Sequence, residues 1–170
     1  MNEVSAESLK KTLKLVPLSI EGGYFAETYR SSELLPAETL AGGYKGSRSS
    51  CTAIYYLREP GTFSEMHRVK SDEIFHFYLG DPVEMLQLWP DGSHCVITIG
   101  TEIERGMRPQ VVVPRGVWQG TRILPGGTVA LLGCTVSPGF EYEDYESGVR
   151  EELVRGWPAA RERIEELTLR

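Results

Sequence analysis

At 170 residues, 41% apolar and 25% charged, the chain is long enough to bury a core without disulfides and has ordinary globular composition. Its net charge of −6 argues against nucleic acid as a partner, because phosphate binding needs a basic surface and no basic stripe offsets the balance. No apolar run is long enough for a bilayer span, and Lys10, Lys11 and Lys14 break up residues 1–18, so that stretch does not read as a signal peptide.

Ser5 is placed to cap a helix over about 5–16, with Glu7 in its first turn, Leu9, Leu13 and Val16 along one face, and Pro17 as the stop. From residue 22 to residue 137 the pattern changes to short β-branched and aromatic runs, at 51–57, 74–79, 83–89, 95–99, 110–113 and 129–136. Turn residues separate them: Gly42-Gly43, Pro60-Gly61, Asp91-Gly92, Pro125-Gly126-Gly127 and Pro138-Gly139. Many short strands with no helical pattern between them predict an all-β sandwich or barrel, with a core over about 20–140. The tail turns helical again over about 148–167. Ser147 is placed to cap 149–155, Gly156 ends that helix, and Pro158 opens a last one with Ala160, Ile164 and Leu167 on one side. No repeat or linker divides the chain, so it reads as one domain over 1–170 with the terminal helices packed outside the β core.

The three cysteines, Cys51, Cys95 and Cys134, are odd in number and form no C-x-x-C pair. They read as reduced, mostly buried thiols of a cytoplasmic protein. Cys134 lies in an apolar run with no assignable base, which favours an inert thiol over a nucleophile.

Gly61 is followed after five residues by His67, Glu73 lies six beyond His67, and Gly80 follows after six more. This spacing resembles the first signature of the cupin superfamily: glycine, five residues, His-x-His, three or four residues, glutamate, six residues, glycine. The second signature, Pro-x-Gly, two residues, histidine, corresponds to Pro114-Arg115-Gly116-Val117-Trp118-Gln119. Two of the four metal-ligand positions depart from the pattern, with Val69 and Gln119 where histidines are expected, and Arg108 replaces the glycine six positions before Pro114. Glu21-Gly22-Gly23-Tyr24-Phe25, Glu27-Thr28-Tyr29-Arg30-Ser31, His67-Arg68-Val69, the run from Asp72 to Gly80, Pro138-Gly139-Phe140 and Asp144-Tyr145-Glu146 narrow the resemblance. They are similar to the small bacterial and fungal cupins often labelled predicted sugar epimerases. The resemblance implies a jelly-roll barrel, commonly a homodimer, with a pocket between its two sheets.

Strand alternation supports such a pocket from the residues themselves. His67 is expected to share a face with Phe63, Glu65 and Val69, and Glu73 with Phe75 and Phe77; Gln119 and Thr121 follow from the second signature. An inward His67–Glu73 contact would satisfy both buried groups. One of Tyr55 and Tyr56 should face inward, and Tyr56 is carried as the candidate proton donor. His76 belongs to the family-like run, and so joins the candidate pocket, although alternation turns it away from Glu73 unless a bulge intervenes. Trp118 should point away from the pocket. These residues suit a metal-independent epimerase or isomerase acting on a carbonyl-bearing sugar, with His67 as base oriented by Glu73. The alternatives are a non-catalytic cupin binding a small polar, sugar-like ligand, and a metal-dependent cupin enzyme. The missing histidines weigh against the last, and no cofactor or resident metal is expected.

Overall fold

The computed structural model describes residues 5–169. Helix α1 (Ala6–Leu13) leads into β1 (Val16–Pro17), β2 (Tyr24–Arg30), β3 (Leu34–Leu35), β4 (Arg48–Ser49), β5 (Thr52–Arg58) and β6 (Phe63–Val69). There follow β7 (Asp72–Gly80), β8 (Val83–Leu88), β9 (His94–Ile99), β10 (Gln110–Val113), β11 (Trp118–Ile123), β12 (Ala130–Ser137) and β13 (Tyr145–Ser147). The described chain closes with α2 (Arg150–Gly156) and α3 (Arg161–Glu166). The strands form a six-stranded sheet, β1-β2-β5-β12-β7-β10, facing a five-stranded one, β13-β6-β11-β8-β9, with β3-β4 as a separate ribbon. All of these strand pairs are antiparallel. This is the expected jelly roll.

Alternating side chains generate three layers of apolar packing. Between the sheets lie Tyr56, Phe75, Val83, Met85, Ile99, Val111, Val113 and Leu132. In β10 the alternation is complete, with Val111 and Val113 buried and Gln110 and Val112 exposed. Leu9 and Leu13 of α1 pack with Leu57, Val129 and Leu131 on the outer face of the six-stranded sheet. Leu153 of α2 and Ile164 of α3, with Ala160 and Leu167, cover Met66, Leu86 and Leu88 on the outer face of the other. Each fully buried aliphatic side chain there contributes about 1.5–3 kcal/mol. No helix among the described residues is long and apolar enough to cross a membrane.

Three local expectations are corrected. Ser5 does cap α1, accepting from the Ser8 amide at 3.2 Å, but Lys14 adopts a left-handed backbone (φ 55°) and ends the helix after Leu13. Val16 therefore leaves the helical face, is exposed, and pairs with Phe25 in β1–β2. Ser147 caps nothing: it lies in β13, its hydroxyl donates to Glu65 Oε1, and α2 starts without a side-chain cap. The final helical stretch is interrupted, because Pro158–Ala160 form a 3-10 turn before α3.

Candidate functional site

A cavity of about 100 Å³ opens between the sheets. Leu18, Ile20, Phe25, Ile54, Val69 and Val136 supply apolar wall, Glu21, His67, Glu73 and Cys134 the polar floor, and the more exposed Glu27, Arg30, Glu141 and Tyr142 the rim.

The register of β6 on β11 sets the floor. Gln119 pairs with His67, but Thr121 pairs with Ser64, so β6 carries one residue more than its partner over that step. Such a bulge reverses the alternation beyond it. Ser64, rather than Phe63 and Glu65, therefore turns inward beside His67, and its hydroxyl reaches Glu21 Oε1 at 2.5 Å. Phe63 packs outside with Trp118 and Trp157 against the cluster of α2 and α3, which corrects its expected place in the pocket. The Glu65 side chain accepts from Ser147 and lies 3.1 Å from the Tyr145 hydroxyl, at the side of the site.

His67 is almost fully buried. Its Nδ1 lies 2.7 Å from the Glu65 backbone carbonyl, which only accepts, so that nitrogen carries the proton and Nε2 presents its lone pair. The Tyr145 ring stacks on the imidazole at 4.9 Å and 22°. Gln119 Nε2 divides its two hydrogens between His67 Nε2, at 2.7 Å, and Glu73 Oε2, at 2.9 Å. The expected direct His67–Glu73 contact is thus replaced by a bridge through Gln119. Burial, then the negative charge of Glu21, pushes the Glu73 carboxyl up to about 8, against a smaller opposing effect of the Cys134 thiol. Burial, then the charge of Glu73, holds the Cys134 thiol well above its ordinary range, so it stays protonated and is no nucleophile.

Glu21 was not among the residues singled out as catalytic or binding. It occupies the turn between β1 and β2, where Gly22 has φ +100°; a Cβ there would stand 2.4 Å from the Phe63 carbonyl oxygen. Only glycine lets the turn pass so close to β6. The turn directs Glu21 Oε1 to the Tyr56 hydroxyl, at 2.5 Å, and to Ser64, while Oε2 lies 3.8 Å from His67 Nε2. Behind it Arg58, fully buried, has Nη2 3.7 Å from Glu21 Oε1, stacks on the Tyr56 ring at 4.1 Å and donates to the Tyr56 hydroxyl. Burial lowers the Arg58 pKa to about 10, with Glu21 opposing the fall, so the guanidinium remains charged at neutral pH. The sequence signal for Glu21 was the pair of glycines that follows it.

The remaining candidates separate into inner and outer sets. Tyr56, not Tyr55, faces inward; Tyr55 lies edge-on to Tyr78 on the outside. Phe75 and Phe77 belong to the core between the sheets rather than to the cavity wall. Thr121 is fully buried on the inner side of β11, and its Oγ1 has no partner among the described residues. His76 does not join the pocket: β7 turns it outward, with Nε2 3.1 Å from Thr135 Oγ1 and its ring against Tyr78. Trp118 points outward as expected, beneath the Arg68 guanidinium at 4.4 Å.

A family model described as Cupin superfamily (DUF985) matches residues 7–148. The chain belongs to the cupin superfamily. It is 31% identical over 133 residues to the uncharacterized protein YML079W of Saccharomyces cerevisiae, covering 74% of this chain and 66% of that protein, just under two thirds of its length. Among solved structures it resembles a hypothetical protein from Leishmania major, at 30% identity and TM-score 0.89, covering 98% of this chain and all of the other. Protein SO0799 from Shewanella oneidensis is similar at 29% identity and TM-score 0.85, covering 98% and 99% of the two chains. An oxalate decarboxylase from Bacillus subtilis shares the fold alone, at 15% identity and TM-score 0.51, over 86% of this chain and 36% of that one.

Many cupins use the positions of His67, Val69, Glu73 and Gln119 to hold a metal, and this cupin's donor set does not fit one. Val69 offers no donor, and the Gln119 amide hydrogen takes up the lone pair of His67 Nε2. Among the described residues no group of three or more His, Cys, Asp or Glu is arranged to hold an ion.

Proposed function

We propose that this cupin binds a small polar molecule and moves a proton at a carbon next to its carbonyl, as an isomerase or epimerase does. The observation that carries this reading is the His67 ring, with Nδ1 committed to a backbone carbonyl and Nε2 held as an acceptor on the cavity floor. A substrate C–H displacing the Gln119 amide hydrogen meets a base already oriented. The proton passes to Nε2, the resulting imidazolium faces Glu21 Oε2 across 3.8 Å, and the electron pair moves onto the substrate oxygen. Glu73, neutral at pH 7 because of its raised pKa, donates a hydrogen bond to that oxygen. Return of the proton from Nε2 to the former carbonyl carbon, with the neighbouring hydroxyl proton passing to the first oxygen, completes an isomerisation. Return to the opposite face of the same carbon, after the bound intermediate turns over, completes an epimerisation, and either restores every group. Glu73 thus replaces Tyr56 as donor, since the Tyr56 hydroxyl is committed to Glu21.

A non-catalytic binding role is the second reading, favoured by the Gln119 hydrogen bond that caps His67 Nε2. Incubation in D₂O with a panel of aldoses and ketoses, followed by NMR at the α-carbons, separates the two. Proton transfer predicts deuterium uptake with wild type and at least about a hundredfold less with His67→Asn. Binding without uptake across the panel leaves only the second reading, and equal uptake by both proteins removes His67 as the base.

A further inference from the structure

We propose that the ligand of this pocket is a short, uncharged α-hydroxy carbonyl compound of three or four carbons, and that phosphorylated and nucleotide-linked sugars are excluded. This rests on the proton-transfer reading above and names the substrate class it leaves open.

Size sets the first limit. An apolar cavity of about 150 Å³ accommodates benzene, with its six carbons, so about 100 Å³ encloses roughly four or five heavy atoms, the hydroxy carbonyl end of such a compound, and leaves the rest of its short chain at the rim. The nucleotide of a nucleotide-linked sugar has no room between the sheets and must lie across the rim.

Charge sets the second. At the rim the Arg30 guanidinium is already engaged on several sides: Nη2 lies 2.9 Å from Glu27 Oε2, Nη1 2.7 Å from Glu141 Oε1, and Nη2 3.2 Å from the Phe140 carbonyl. Arg58, the other nearby cation, is sealed behind Glu21. Glu21, Glu27 and Glu141 therefore face two arginines that are both engaged. A phosphate entering here meets more carboxylates than cations and finds no uncommitted guanidinium, which disfavours it.

Hydrogen-bonding capacity gives the positive part. Glu21 lines the cavity, and its Oε2 accepts no hydrogen bond from any described residue. It is an acceptor and calls for a hydroxyl hydrogen on the ligand. Glu73, carrying its proton at neutral pH, offers the complementary donor. Adjacent hydroxyl and carbonyl groups on one short carbon chain match that set, while Phe25, Ile54 and Val136 take the C–H surface.

The test is ligand-observed NMR titration of the wild-type protein. Dihydroxyacetone, glyceraldehyde and erythrulose are compared with their phosphate esters, with UDP-glucose, and with glycerol as the carbonyl-free control. The expected result is saturable binding of the three neutral compounds, at least about tenfold tighter than the phosphate esters or glycerol. Glu27→Gln/Glu141→Gln, which frees Arg30, should narrow the gap to the phosphate esters. Phosphate esters or UDP-glucose binding as tightly as the neutral compounds overturns the proposal, as does glycerol matching the trioses or no saturable binding by any neutral compound. Tight neutral binding with no deuterium uptake sustains the ligand class and sinks the proton-transfer reading. Uptake confined to phosphorylated compounds does the reverse.

Discussion

Replacing Glu73 by glutamine tests the electrostatics of the site through stability alone. In the unfolded chain this carboxyl ionises at its ordinary 4.5, whereas in the barrel burial and the charge of Glu21 raise it to about 8. Between those values unfolding releases a proton, so stability is greatest below about pH 4.5, falls as the pH rises, and levels off above about pH 8. At about 1.4 kcal/mol per unit, the upper bound on that loss is about 5 kcal/mol. Relaxation around the ionised group brings the expected value to about 2–4 kcal/mol. Glutamine keeps an acceptor for the Gln119 amide, at 2.9 Å in the wild type, and does not titrate. Urea denaturation of both proteins from about pH 5 to about pH 9 should therefore show Glu73→Gln gaining about 2–4 kcal/mol on wild type as the pH rises, at unchanged m-value. Stability curves that stay parallel within about 0.5 kcal/mol would refute the buried, protonated Glu73.

Other perturbations reach the frame of the site. Gly22→Ala places a Cβ 2.4 Å from the Phe63 carbonyl at φ +100°, and should cost more than about 2 kcal/mol by denaturant titration. Asp144→Asn weakens the buried pair with Arg48, whose Nε lies 2.6 Å from Asp144 Oδ2. A loss of about 3–5 kcal/mol, or on the order of 10 °C in Tm, is expected by calorimetry. Ile164→Ala opens space beneath α3 and should cost about 2–5 kcal/mol while leaving ligand titrations unchanged. We also propose that the cupin is a homodimer in solution, since β10 ends its sheet with no further strand beside it among the described residues and exposed edges need covering. Light scattering should give twice the chain mass, and a monomer at micromolar concentration contradicts this.

The jelly roll was legible because its strands obey a period of two and stop at turn residues. The run at 110–113 coincides with β10, and the spacing of the two signatures brings His67 and Gln119 directly opposite each other. Features that depend on an exception to periodicity were not. The extra residue in β6 leaves no mark on alternation, yet it puts Ser64 inside and Phe63 outside. Glu21 stayed hidden because its partners Tyr56 and Ser64 lie 35 and 43 residues further along the chain. The left-handed Lys14 likewise moved Val16 from a helix to a strand without any glycine or proline at the break.

Arg58 ties the durability of this barrel to the carboxylate beside His67. A guanidinium with no exposed surface is tolerable only while its counter-charge is in place, and that counter-charge is Glu21, which also faces His67. Loss of Glu21 alone strands a cation in the interior at a cost of about 3–5 kcal/mol, a large fraction of a typical domain's stability. Mutational drift at position 21 is therefore gated by position 58. A descendant that loses the carboxylate at position 21 must first, or at the same time, give up the arginine.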